Sequence, residues 1–285
     1  MHSTTLKRKY QNLIVHTIPC LSDNYSYIVE NLQSNHESII IDPSETQPIL
    51  NYLKDHPEIN PIAILCTHHH WDHVGGCLEL KQKFPKLKVY SGDDRTKGND
   101  QNIRQDTEIS FGHKNNLNFK ILHTPCHTEG HVCYYNQENG IVFTGDTLFL
   151  TGCGRFFEGG PDGGDKMDRN LNSILGNLPE ETEIYCGHEY TLGQINFAMA
   201  IESSNNDLQI YREACVLLRS QEPPVPTVPG TIGQEKRTNP FMRLDSVEIK
   251  QALGLYKLGE GRKQISNGEI MSALREYKNN WRPSK

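Results

Sequence analysis

Short apolar runs separated by turn residues dominate the chain up to about residue 188. NLIVHTI, YSYIVEN, ESIIIDP, IAILCTH, LKVYSG, NFKILHTP, CYYNQENGIVFTGD and TEIYCGH read as strands. Two segments break that rhythm with apolar residues at helical spacing. ETQPILNYLKDH opens after Pro43-Ser44, and WDHVGGCLELKQKF carries Val74, Leu78, Leu80 and Phe84. Alternating strands and helices predict an α/β layered fold.

After residue 190 the pattern changes to helical spacing throughout. LGQINFAMAIESSN, DLQIYREACVLLRSQ, SVEIKQALGLY and NGEIMSALREYKNNW read as helices, and PPVPTVPGTIGQ between them reads as a loop or linker. The expected organisation is a catalytic α/β domain over residues 1–188 and a smaller all-α domain over 189–285. No internal repeat is visible.

A length of 285 residues suits such a medium domain plus a smaller one. A net charge of −6 argues against nucleic acid as a partner, because phosphate binding draws on a basic surface. A small anionic ligand needs only two or three local cations and stays open. No apolar run approaches the length that spans a bilayer. Eight cysteines are scattered without a CxxC pair, which favours a reducing compartment and a cytoplasmic location. Lys7, Arg8 and Lys9 precede any acid, the first being Asp23. They read as a short basic tail ahead of the first strand, with a mitochondrial presequence as the alternative.

The densest chemistry lies in LCTHHHWDHVGG, residues 65–76. Buried imidazoles are costly unless something pairs with them. In an extended strand end His68 and His70 point the same way, roughly 6–7 Å apart, a span over which two nitrogens can grip one ion. His69 points to the other side. Asp72 and His73 follow as the chain turns into a helix and can serve a neighbouring position. Further apolar runs end at His127, Asp146 and His188. Five histidines and two aspartates exceed what one tetrahedral ion uses, so two ions with Asp146 free to bridge is the economical reading. His2, His16, His36, His56, His113 and His123 show no such pattern. His131 and Asp42 are candidates for outer partners of the ligands, His131 beside His127 and packing the plainer reading for it.

Two ions about 3.5–4 Å apart can hold a hydroxide at neutral pH and polarise a substrate oxygen. No GxSxG elbow is present and no cysteine has an activating neighbour, so metal-assisted hydrolysis is the expected reaction class. The ligands do not say which bond breaks.

THHHWDH with the later histidine, aspartate and histidine resembles the metallo-β-lactamase superfamily, an αββα sandwich. GDTLFLTGCGRFFEG, CGHEYT, NPFMR and the terminal ALREYK resemble glyoxalase II, the hydroxyacylglutathione hydrolases, along nearly the whole chain. The resemblance implies hydrolysis of S-D-lactoylglutathione to glutathione and D-lactate, the second step of methylglyoxal detoxification. It implies His68, His70 and His127 on a first ion and Asp72, His73 and His188 on a second, with Asp146 bridging. Asp72 and Asp146 would act in catalysis with the bridging hydroxide. Arg155, Phe157, His188 and Tyr190 fall at positions that contact glutathione, and Arg275 and Lys278 at those that hold its glycine carboxylate. Many relatives have Lys and Tyr where this chain has Arg155 and Phe157; arginine keeps the cation, and phenylalanine lacks the hydroxyl that would serve one hydrogen bond to the peptide.

A thioester suits the residues, because a thiolate with a conjugate acid near pKa 8.5 leaves with little help from a general acid. A sulfur dioxygenase of the same superfamily would lack the extended helical domain and the basic pair, and a nuclease of the superfamily is disfavoured by the net charge and by the absence of a basic groove signal. Mixed nitrogen and oxygen ligands suit zinc first, with iron or manganese as alternatives. The expected partner is a small-molecule glutathione thioester, with no nucleic acid and no membrane, and the chain is expected to be a monomer.

Overall fold

The computed structural model describes residues 3–103, 107–113, 116–256 and 265–283; His2 lies outside them. Two mixed sheets face each other. The first contains β1 (Leu6–Lys9), β2 (Leu13–Cys20), β3 (Asn24–Asn31), β4 (Glu37–Ile41), β5 (Asn60–Cys66), β6 (Lys88–Ser91) and β7 (Asn99–Asn102), in that order across the sheet. Its first four strands are antiparallel, and β4 to β7 run parallel. The second contains β8 (Glu108–Phe111), β9 (Leu117–His123), β10 (Val132–Asn136), β11 (Ile141–Gly145), β14 (Glu183–Cys186) and β15 (Gly230–Thr231). All its neighbours are antiparallel except β11 and β14. A hairpin of β12 (Leu148–Phe149) and β13 (Gly152–Cys153) follows β11.

Runs such as SIII in β4 and AILC in β5 are buried on both faces, because each sheet is covered on both sides. Between the sheets, Tyr27 of β3 packs on Phe143 of β11 with ring centroids 5.3 Å apart. On the outer face of the first sheet, α1 (Thr46–Asp55) and α3 (Cys77–Lys83) bury Ile49, Leu53, Cys77 and Leu80 against Ile28, Ile40 and Ile64. Each side chain so buried contributes about 1.5–3 kcal/mol for its larger apolar members. The other sheet is covered by α4 (Gly163–Asp168) and the π-helical turn Arg169–Ile174, through Met167 and Leu171. The αββα sandwich expected from the sequence is thus present, followed by α5 (Thr191–Ile201), α6 (Asn206–Arg219), α7 (Ile232–Thr238), α8 (Val247–Ala252) and α9 (Asn267–Asn280).

Three local expectations change. The helix read over residues 71–84 is two, α2 (Trp71–Val74) and α3, parted at Gly75-Gly76. A Cβ on Gly75 would lie 2.5 Å from the Ser44 carbonyl oxygen, and the Gly76 N–H donates to Pro43, so the chain presses against that turn. The basic tail is the edge strand β1, whose exposed charges blunt the sheet edge. The linker PPVPTVPGTIGQ supplies β15 and then α7, whose first turn is capped by Thr231 Oγ1 accepting from the Gln234 N–H. Two residues of strand are too few to leave a periodic signal.

The last helix is seated to serve the site. Ser266 and Glu269 form a reciprocal capping box at its start. It lies tight on α4: a Cβ on Gly164 would come within 2.1 Å of the Gly268 carbonyl oxygen. That approach brings Arg275 onto the carbonyl of Cys153 in β13, at 2.9 Å.

Candidate metal centre

Of the seven residues singled out in the sequence, five lie in loops that follow strands of both sheets and two, Asp72 and His73, in α2; all seven converge. His68, His70 and His127 offer nitrogens within 4.8 Å of one another; the imidazole nitrogens and carboxylate oxygens of Asp72, His73 and His188, and of His68, His73 and Asp146, lie equally close. Asp146 lies between the two groups. Its Oδ1 is 3.3 Å from His73 Nε2, and its Oδ2 is 3.5 Å from His127 Nε2 and 3.4 Å from His188 Nε2. Asp72 Oδ2 sits 3.5 Å from His188 Nε2. Two backbone positions must be bare for this. Gly145 has φ +46°, and a Cβ on Gly187 would lie 2.4 Å from Asp146 Oδ1.

The outward nitrogens decide the tautomers. His127 Nδ1 lies 3.0 Å from the Arg155 carbonyl, which can only accept, so that nitrogen carries the proton. His73 Nδ1 donates to Asp42 Oδ2 at 3.0 Å, and His188 Nδ1 to Asp23 Oδ1 at 2.8 Å. Thr67 Oγ1 donates to Asp42 and therefore accepts from His68 Nδ1 at 3.0 Å. The inner nitrogens are then lone pairs crowded together: His68 Nε2 and His127 Nε2 stand 3.0 and 3.1 Å from His70 Nδ1. Asp146 Oδ1 is buried with no hydrogen-bond partner. Lone pairs facing lone pairs and an orphaned carboxylate oxygen repel one another unless cations lie between them. The residues fit two divalent ions.

The two halves differ in charge. Burial, with repulsion from neighbouring imidazoles, pushes His68 well below the usual histidine value and His70 down to about 4, and burial also lowers His127. Burial works against the charged form of His73 and His188 too. There Asp146, with Asp42 or Asp23, outweighs it, so His73 rises well above its ordinary value and His188 to about 9. Burial would raise Asp146, but His73 and His188 hold it well below the carboxylate range.

Of the outer candidates, Asp42 reaches His73 as described. His131 does not orient His127; it accepts from the Asp146 N–H at 3.3 Å and donates toward the Thr124 and Thr147 hydroxyls, at 2.9 and 3.1 Å. Its ring centroid stands 6.3 Å from that of His127. His69 turns to Asp93, 3.1 Å away. Asp23, missed in the sequence, sits in the turn-like LSDN, which carries no metal signal.

Around this cluster lie the remaining predicted positions. Tyr190 stacks on His188, centroids 4.6 Å apart and planes 7° apart. Phe157 is 61% exposed with its ring 5.3 Å from that of His127. Arg155, exposed, borders a cleft of about 320 Å³ with Phe156, Phe157, Ser272 and Arg275. Lys278, its Nζ 4.6 Å from the Phe197 ring centroid, borders a second hollow of about 410 Å³ with Glu189, Tyr190, Arg219 and Trp281. Arg275 and Lys278 thus open onto different hollows. Burial lowers Arg275, with Arg155 adding repulsion. Burial, then repulsion from Arg275, brings Lys278 down to about 7, and its Nζ has no hydrogen-bond partner. Arg155 and Arg275 share one hollow with Glu276, and Lys278 and Arg219 the other with Glu189, so each hollow offers two cations against one carboxylate to an anionic ligand.

Residues 21–188 match the family model described as metallo-beta-lactamase superfamily, and residues 189–281 the model described as hydroxyacylglutathione hydrolase C-terminus. The chain is 38% identical over 270 residues to the cytoplasmic hydroxyacylglutathione hydrolase of Arabidopsis thaliana, covering 93% of this chain and 98% of that one. It is 38% identical over 271 residues to the hydroxyacylglutathione hydrolase of Photobacterium profundum, covering 94% and 100%. The fold is similar to the crystal structure of BLEG-1, a B3 metallo-beta-lactamase, with TM-score 0.59 at 24% identity over 80% of this chain and 98% of that one.

Proposed function

Since the chain belongs to the hydroxyacylglutathione hydrolase family of the metallo-beta-lactamase superfamily, metal-dependent thioester hydrolases of the methylglyoxal pathway, we propose that it converts S-D-lactoylglutathione and water to glutathione and D-lactate. The observation that carries this reading is Asp146, buried and without a hydrogen-bond partner at Oδ1, between two groups of candidate metal ligands. His68, His70 and His127 would hold one ion and Asp72, His73 and His188 the other, with Asp146 shared. We assign zinc to both positions; iron and manganese suit the same donors. When bound, two such ions supply an activated water near neutral pH and polarise the thioester carbonyl.

The chain's own residues do the rest. Asp42, Asp23, Thr67 and the Arg155 carbonyl hold the outer nitrogens of His73, His188, His68 and His127, so the inner nitrogens are the ones turned to the ions, and at His73 and His188 a proton competes with the ion for that place. Phe157 and Tyr190 wall the approach to the cluster with apolar surface, excluding water from the side where the thioester enters. Arg155, Arg275 and Lys278 draw the carboxylates of the glutathione moiety and orient the tripeptide. Phe157 has no hydroxyl, so it packs against the peptide and leaves its polar groups to these cations. The thiolate departs without a proton donor, its conjugate acid having a pKa near 8.5.

We place the division between residues 188 and 189; past it one short strand, β15, returns to the second sheet, and the helices bring Arg275 and Lys278. All eight cysteines are buried and free, which supports a reducing, cytoplasmic setting; we propose a monomer there, with sedimentation as its check. No helix among the described residues is long and apolar enough to cross a membrane. The decisive experiment follows S-D-lactoylglutathione loss with purified protein before chelation, after it and on re-addition of zinc, with elemental analysis of each sample. Hydrolysis that tracks two ions per chain is expected. A sample holding both ions and leaving the thioester intact would end this reading.

A further inference from the structure

On the His70 and His127 side of the centre, four loops meet at one guanidinium. Arg95, in the loop after β6, grips two carboxylates at once. Nε and Nη2 reach Asp93 Oδ1 and Oδ2 at 2.9 and 2.7 Å, while Nη1 and Nη2 reach Glu158 Oε1 and Oε2 at 2.6 and 2.7 Å. Asp93 lies 3.1 Å from His69, the residue between two ligand histidines. Glu158 Oε2 accepts the N–H of Glu129 at 2.7 Å, two residues beyond His127, and the Glu158 N–H donates to the Cys126 carbonyl at 3.1 Å. Glu158 also closes the segment carrying Arg155 and Phe157. The carbonyl of Arg155 is the group that holds His127 in its tautomer.

We propose that Arg95 is a positioning residue: through Glu158 it sets the Arg155–Phe157 segment over His127, and through Asp93 it holds the His68–His70 loop from the opposite sheet. Each sheet supplies one side of the clamp, so the guanidinium spans the seam across which His70 and His127 must meet. A planar fork can serve two carboxylates in this way, and an ammonium cannot. Half of the Arg95 side chain is exposed, so its ion pairs contribute little to global stability. Loss of Arg95 therefore moves geometry more than it moves unfolding. The substrate side of the proposal rests on the thioesterase reading; the metal side does not.

The test compares Arg95→Met, Arg95→Lys, Glu158→Gln and the Arg95→Met/Glu158→Gln double variant with the parent. Lys81→Met serves as control, since Lys81 pairs with Asp100 at 2.7 Å and touches no ligand loop. KM and kcat for S-D-lactoylglutathione, ions retained per chain against a graded chelator, and Tm are measured for each. Arg95→Met is expected to raise KM about tenfold with kcat within about threefold, the scale of a displaced positioning contact. It should also lose one ion at a chelator concentration that leaves the parent with two. Arg95→Lys should recover only part of this, and the double variant should be no worse than the worse single one. Parental KM and metal retention in Arg95→Met, or the same changes in Lys81→Met, would overturn the proposal. If the parent leaves the thioester intact, the thioesterase reading falls, and metal retention alone decides the role of Arg95.

Discussion

Glu235, on α7, offers the cleanest test of how the helical segment is tied to the site. It is fully buried, and its Oε2 accepts the Thr151 N–H at 2.7 Å and the Asn239 side-chain amide at 2.8 Å. Its Oε1 is buried without a partner. Thr151, held at φ +62°, is the second residue of the hairpin turn that leads to Cys153 and Arg155. Burial pushes the Glu235 carboxyl up to about 8, against the lowering effect of Asn239 and Thr151. Its folded pKa therefore lies above its unfolded one, and stability is lost as pH rises from the unfolded value near 4.5 until it levels near 8. At 1.36 kcal/mol per unit, the loss by pH 7 is about 3 kcal/mol. Glu235→Gln keeps a neutral acceptor for both donors and places its amide where Oε1 has no partner, at a pH-independent cost of about 1–3 kcal/mol. Thermal unfolding of parent and variant at matched pH from 5 to 8.5 isolates the difference, since all other titrations are common to both. The variant's Tm relative to the parent should climb by about 5 °C across that range and then flatten. A difference independent of pH would refute the argument, and one that falls with pH would mean that the buried carboxylate is stabilised as an anion.

Asp146→Ala should abolish activity and reduce bound metal together, read by turnover and elemental analysis on one sample; full turnover would contradict a shared ligand. Arg275→Ala with Lys278→Ala should raise KM at least about tenfold while kcat changes far less, because a cation that holds substrate and transition state alike acts on KM. With Lys278 down at about 7, its positive charge is lost as pH rises through that value, so parental KM should climb between pH 6 and 8. The Lys278→Ala variant should show a high, flat profile, and an unchanged slope would remove Lys278 from binding. Asp23→Asn, which withdraws the charge behind His188, should weaken retention of one ion about 10–100-fold in chelator competition. Equal retention would show that Asp23 only packs there.

Residues that gather at the centre were legible because each follows an apolar run that has to join a sheet. IAILC, FKILH, IVFTG and EIYCG are strands, and a strand end aims its next residues along one edge of the sandwich. Their ionisation was not legible. His68 and His73 stand five residues apart in one segment, yet burial drives one well down while carboxylates raise the other. The difference comes from Asp42 at the end of β4 and Asp146 after β11, contacts made only once both sheets have closed. Asp23, Arg95 and Glu158 were invisible for the same reason. They sit in turn-like stretches, and their partners lie 165 residues away for Asp23 and 63 residues apart for Arg95 and Glu158. No period or spacing encodes such pairs. Gly75-Gly76 failed differently: helical spacing of apolar residues persists across the break, but only a chain bent there clears the Ser44 carbonyl. A sequence thus names the donors of a metal centre, whereas the protonation of those donors, and with it the order in which ions and protons compete for them, belongs to the assembled sandwich.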